Sequence, residues 1–195
     1  IPCVCQAAVD LGTRVNKSSG FCKSYNLFHC LFHDFSPLDL QLFRQMRPES
    51  SGKSCFFIGH RETSEEVYPE LYAAVEQHIV EYGVTEFIVG HYGGFDRLAA
   101  KAVIEAKKTH PGVVLTLLLP YHPAERPVAP PEGFDGTYYP PGMERVPRRV
   151  AIVRANRYMV DHVDYLIAYA WHPASSAREL VEYAQRKQQI HIQLL

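Results

Sequence analysis

Four short stretches hold residue types that could do chemistry at fixed spacing. HYGGFD (His91 to Asp96) places two adjacent glycines just before a helix-like pattern. A helix amino terminus carries unpaired N–H groups and partial positive charge, so a phosphate could sit at Gly93 and Gly94, where no side chain blocks close approach. Asp96, in the first turn, either meets a sugar hydroxyl or simply complements the helix dipole. GHRET (Gly59 to Thr63) adds a glycine for close backbone approach, with His60 and Arg61 as donors to a phosphate or carboxylate. Asn156 shares a predicted helical face with Ile152, Met159 and Val163. Its amide is therefore turned toward a core, as a structural clamp or as a ligand contact. Arg157 beside it is the favoured anion contact, and Arg145, Arg148, Arg149 and Arg154 extend a basic strip. Ser176 and Glu179 fit a Ser-x-x-Glu capping box, a reading favoured over direct ligand contact.

Two motif-like features are set aside. SSGKS (Ser50 to Ser54) ends like a phosphate-binding P-loop, but Arg47 stands where that motif needs a glycine, and the stretch precedes a strand rather than following one. The cysteines cluster early, and Cys3, Cys5, Cys22 and Cys30 with His29 and His33 supply soft ligands. Their spacing fits no paired zinc template, so no metal is expected. Nor is a cofactor: the three spread glycines of a dinucleotide fingerprint are missing.

The elements that must position these residues are legible from residue 55 onward. CFFI, FIVG, VVLTLLLP and YLIAYAW are continuous apolar runs, as strands buried on both faces require, and IHIQLL closes the chain as a last strand. Between them lie helical patterns: Leu71, Val75, Ile79 and Tyr82 after Pro69; Leu98 to Ala106; Arg154 to Val163; and Ser176 to Gln188. Alternating strands and helices predict an α/β, Rossmann-like three-layer sandwich with a mostly parallel sheet of about five strands. Ligands in such sheets bind at the carboxyl ends of the strands, where every stretch named above falls. The connection from Pro120 to Pro147 holds eight of the 14 prolines. It reads as a structureless lid, with Tyr138 and Tyr139 able to stack on a base, or as a stiff surface decoration.

These pieces together resemble the SLOG superfamily, the Rossmann-like group that relates Smf-type DNA-processing proteins to the LOG phosphoribohydrolases. CFFIGHRE, GFDRLAA and NRYMVDHVDYLIAYAW carry the likeness, which is greatest to a bacterial branch opening with a Cys-Phe-x-Gly-His-Arg strand. It covers about residues 53 to 195 and implies a pocket for a nucleotide-derived ligand. LOG enzymes have a Pro-Gly-Gly-x-Gly-Thr-x-x-Glu motif and an Arg-Lys-x-x-Met helix. Here Ala155-Asn156 replaces Arg-Lys, and WHPASSARE lacks the glycines. The expectation is therefore binding or sensing of a nucleotide-like small molecule rather than catalysis. The alternatives are N-glycosidic hydrolysis of a nucleoside monophosphate, with Glu179 assisting water and Arg157 holding phosphate, and a DNA-associated module using the arginine strip.

Composition bounds the partners. The chain has 195 residues, 47% hydrophobic and 21% charged, with net charge −1. No global field recruits nucleic acid, and no run approaches the roughly 20 apolar residues of a membrane span. Residues 1–45 read as an N-terminal extension and 46–195 as the folded domain, in the cytoplasm by default; a homo-oligomer is left open.

Overall fold

The computed structural model describes residues 52–195. Within them one six-stranded sheet is all parallel, in the spatial order β4-β3-β2-β1-β5-β6. Strand β1 is Lys53–Gly59, followed by a 3-10 turn at Glu65–Val67 and helix α1, Tyr68–Val80. Next come β2 (Val84–Val89), α2 (Gly94–Ala106), β3 (Val114–Leu118) and β4 (Gly136–Tyr138). The chain then crosses to the other half of the sheet through α3 (Arg148–His162) into β5 (Tyr165–Tyr169), and ends with α4 (Ser176–Lys187) and β6 (His191–Leu194).

The pleat of β1 divides the core. Cys55 and Phe57 point to the layer built by Leu71, Ala74 and Val75 of α1 and by Leu98, Ala99, Ala102 and Val103 of α2. Phe56 and Ile58 point to the opposite layer, where Ala155, Met159 and Val160 of α3 meet Leu180, Val181 and Ala184 of α4. Phe56, Phe57, Phe87 and Phe95 are essentially inaccessible, each contributing about 1.5–3 kcal/mol relative to an exposed ring. The repeated alanines of α2 and α4 let those helices lie close to the sheet. Local chemistry sets the ends: Pro69 occupies the first turn of α1, Gly83 turns with φ +69° before β2, and Gln188 takes the left-handed conformation after α4.

Three expectations change. The sheet has six strands, not about five, because the Pro120–Pro147 connection contributes β4. Asp135 anchors it: its carboxylate accepts the Leu115 N–H at 2.7 Å and pairs with Lys107 at 2.6 Å, while its own N–H donates to the Leu115 carbonyl. Burial raises that carboxyl, but these partners win and hold it below the usual range. Second, α3 begins at Arg148, four residues before Ile152, the first residue of the predicted face, so Arg148, Arg149, Arg154 and Arg157 all ride on one helix. Third, Ser175, not Ser176, caps α4, as described below. Lys53 and Ser54 already belong to β1, which leaves no loop for a P-loop reading. The early cysteine and histidine set and the division at residue 45 lie outside the described residues.

Candidate functional site

The two halves of the sheet part between β1 and β5. After β1 the chain turns to the α1/α2 layer, and after β5 to the α3/α4 layer, so a crevice opens at the carboxyl ends of the strands. A cleft of about 280 Å³ occupies this place. Of the expected site residues, Gly59, Arg61, Gly93, Asp96, Asn156, Arg157, Ser176 and Glu179 line it; His60, Gly94, Tyr138 and Tyr139 do not.

The amino end of α2 is closed by the protein itself. The Gly94 N–H donates to the Arg61 carbonyl at 2.7 Å, and the Phe95 N–H to the His60 carbonyl at 3.3 Å. Asp96 turns back to accept the Tyr92 and Gly93 amides at 3.1 and 2.9 Å. The Gly93 and Gly94 amides expected to greet a phosphate are thus occupied, as are those of Tyr92 and Phe95 beside them. The glycines serve packing: a Cβ on Gly94 would lie 2.7 Å from the Arg61 carbonyl oxygen, and one on Gly59 would lie 2.2 Å from the Phe95 ring. Burial pushes the Asp96 carboxyl up, against the two amides that favour its charge.

The amino end of α4 differs. Ser175 is the cap, its Oγ accepting the Arg178 N–H at 3.1 Å and its carbonyl accepting the Glu179 N–H. Ser176 and Ala177 therefore begin the helix. Both line the cleft, and their N–H groups meet no acceptor among the described residues. The predicted Ser176–Glu179 capping box is corrected accordingly. With Ser175 capping, the Ser176 hydroxyl and the Glu179 carboxylate both belong to the cleft wall.

From α3, Asn156 faces the cleft half-buried, and its amide meets no hydrogen-bond partner among the described residues, so within them it clamps no loop. Arg157 stands with its guanidinium 4.1 Å from the centre of the Tyr183 ring. Tyr183 is fixed by its hydroxyl, which donates to Asp161 at 2.8 Å, and Asp161 is also paired with Lys187 at 2.8 Å. Burial opposes charge on Asp161, yet Lys187 and Tyr183 hold its carboxyl below the usual range. An ion-paired frame thus orients Arg157 while leaving its donors to the cleft.

The aromatic pair expected as a lid sits elsewhere. The Tyr138 hydroxyl bonds that of Tyr158 at 3.2 Å, and Tyr139 meets His122 edge-on, both packed against the α3/α4 layer. The tyrosines that line the cleft are Tyr92 and Tyr183, and Pro120 lines it as well. Sequence reasoning passed over both tyrosines, although each carried a signal. Tyr92 directly precedes the glycine pair, and Tyr183 lies one turn beyond Glu179 on the same helical face. His60 lies beyond the wall, its Nε2 accepting the backbone N–H of His172 at 3.2 Å.

Fold and site together define a Rossmann-like α/β domain with a small cleft of mixed polar and apolar lining at its topological switch point. Among solved structures, that of DNA processing protein A from Helicobacter pylori, described for its single-stranded DNA binding mode, is similar at 14% identity and a TM-score of 0.48. The match covers 73% of this chain and 65% of that one. No protein-family model matches the chain, and no curated protein matches it. Among the described residues no helix is long and apolar enough to cross a membrane, and no three His, Cys, Asp or Glu side chains gather as metal ligands would.

Proposed function

We propose that this is a SLOG-like domain whose cleft binds a phosphorylated, nucleotide-derived small molecule without breaking it. The observation that carries the reading is the pair of unpaired amides at Ser176 and Ala177, facing the same cleft as Arg157, Arg61 and the unpaired Asn156 amide. Backbone N–H groups and arginine forks together favour a phosphate. The free amide of Asn156 can read a sugar or base edge, and Tyr92 and Tyr183 offer ring faces. At about 280 Å³ the cleft suits one nucleoside monophosphate or sugar phosphate, being near the lower end of the usual range for ligand pockets.

Binding without turnover follows from Glu179. It is exposed, and no described hydrogen bond orients its carboxylate, whereas a base that activates water is normally held by a third group. The hydrolytic alternative keeps one supporting fact, that Glu179 and Arg157 line the same cleft.

Calorimetry of the full chain with the four common nucleoside 5′-monophosphates and ribose 5-phosphate tests this. At least one should bind, and Arg157→Ala should weaken it by roughly tenfold or more, the order of a charge-assisted hydrogen bond, with the melting temperature nearly unchanged. A folded protein that binds none of them overturns the reading. Release of free base, abolished by Glu179→Gln, would replace it with the hydrolytic one.

A further inference from the structure

His60 was expected to touch the ligand, but it touches the loop that shapes the anion-binding end of the cleft. Its Nε2 accepts the His172 N–H at 3.2 Å. The His172 ring in turn accepts the Ala174 N–H at Nδ1, at 3.3 Å, and its carbonyl accepts the Ser175 hydroxyl at 2.8 Å. Ser175 then caps α4 through the Arg178 N–H. Linked hydrogen bonds therefore run from the residue after β1, through the backbone of the β5–α4 loop, to the Ser175 cap that directly precedes the two free amides. Both imidazoles take part as acceptors of backbone N–H groups, a role open only to an unprotonated nitrogen.

We propose that His60 is a positioning residue: unprotonated, it holds the β5–α4 loop in the shape that presents the Ser176 and Ala177 amides, and proton uptake releases that loop and weakens anion binding. The proposal rests on the cleft being an anion site, as read above. Around the ring stand Tyr169 of β5 and Trp171 and His172 of the loop. Arg61 follows it in the chain. From α2 only the Phe95 amide reaches the residue, at its carbonyl, which also accepts the Thr63 hydroxyl. Thus no carboxylate is among these neighbours to favour an imidazolium. Burial, then the neighbouring His172, set the proton affinity of His60 below that of an ordinary histidine.

Trp171 is the only tryptophan of the chain, and its ring centre lies 5.2 Å from that of His60. An imidazolium against indole quenches emission, so Trp171 reports the proton directly. Sulfate is the binding probe, because its charge is constant across the range while phosphate itself titrates. On acidification from about pH 7.5 to about 5, emission of the full chain should fall in one step below the ordinary histidine midpoint, and sulfate affinity should fall roughly fivefold, as loss of one hydrogen bond allows. His60→Gln keeps an acceptor at the same reach but cannot titrate. Because the His172 ring also lies 5.5 Å from that of Trp171, the comparison is made in a His172→Gln background, where adding His60→Gln should leave emission flat and sulfate affinity changed by less than about twofold over the same range.

Should that variant fail to fold, hydrogen exchange of the His172 amide in the native chain gives the same answer. The amide should lose protection with the midpoint of the His60 ring. Sulfate affinity that is constant or rises on acidification, or a His60→Gln profile like that of its background, overturns the proposal. Sulfate that does not bind at neutral pH overturns it together with the anion reading of the cleft. If sulfate binds and weakens as stated while every nucleotide fails, only the identity of the ligand is wrong and the latch stands.

Discussion

Two helices aim their amino ends at the same cleft, and the protein treats them in opposite ways. At α2 the first amides are consumed by the carbonyls of His60 and Arg61 and by the carboxylate of Asp96. At α4 the cap takes one amide and leaves those of Ser176 and Ala177 unpaired. The end richer in glycine is thus the structural one, and the glycine-free end is the one open to a ligand. A glycine pair at a strand-to-helix turn can mean that backbone approaches backbone, as well as that backbone approaches phosphate.

Substitutions at three positions bear on this contrast. The largest effect is expected for Gly94→Ala. Its new methyl would lie 2.7 Å from the Arg61 carbonyl oxygen, which cannot turn aside as a flexible side chain could. A loss of about 2–3 kcal/mol in urea unfolding is expected, the upper range for overpacking. An unchanged midpoint would show that α2 is not sealed and would restore it as a ligand seat.

Next is Asp96→Ala, which orphans the Tyr92 and Gly93 amides and should cost about 2 kcal/mol, while Asp96→Asn, whose one carbonyl oxygen can take the place of the single oxygen that accepts both, should cost less than about 1 kcal/mol. The pair also differs in pH dependence. Burial raises the folded-state affinity of Asp96 for its proton, so its ionisation opposes folding. The stability linked to this group is complete below its unfolded value and is lost as pH rises through the folded one. Asp96→Asn should remove that slope above the ordinary carboxylate range, as followed by denaturant titration.

The smallest effect on stability belongs to Ser176→Pro. Proline suits the first helical position, and Ser175 before it is already extended at φ −113° and ψ 151°. Folding should change by less than about 0.5 kcal/mol, while removal of one free N–H and the hydroxyl should weaken the bound phosphate compound by roughly fivefold or more in calorimetry. Unaltered affinity would deny α4 its role.

What could be read in the chain follows from how local each cause is. Four of the six strands announce themselves as apolar runs, because a strand covered on both faces has no polar side to interrupt the pattern, and β6 shows only as the mixed ending IHIQLL. β4, only Gly136–Tyr138, has neither length nor hydrophobicity, and exists because Asp135 joins the Leu115 backbone from 20 residues away. The start of α3 hid in a run of arginines that periodicity does not distinguish from loop. At the site, residue types near the strand ends were informative, since eight of the expected residues do line the cleft: Gly59, Arg61, Gly93, Asp96, Asn156, Arg157, Ser176 and Glu179. Their roles were not. The partner of the Gly94 amide is Arg61, on another element, and the choice between Ser175 and Ser176 as cap depends on where the loop from β5 delivers the chain.

The strand order has a consequence for how the molecule is made. β1 sits in the middle of the sheet, and its second neighbour, β5, pairs Cys55 with Tyr165. Ser54 likewise waits for Asp164, 110 residues later. At ribosomal speeds that interval is on the order of 5–20 s. During it β1, β2 and β3 can assemble with α1 and α2, but Phe56, Ile58, Ile88 and Leu118 have no cover until α3 and α4 emerge. The nascent chain therefore carries a bare aromatic and aliphatic face, a natural client surface for a chaperone. The cleft, whose walls come from both halves of the sheet, is the last part of the domain to come into being.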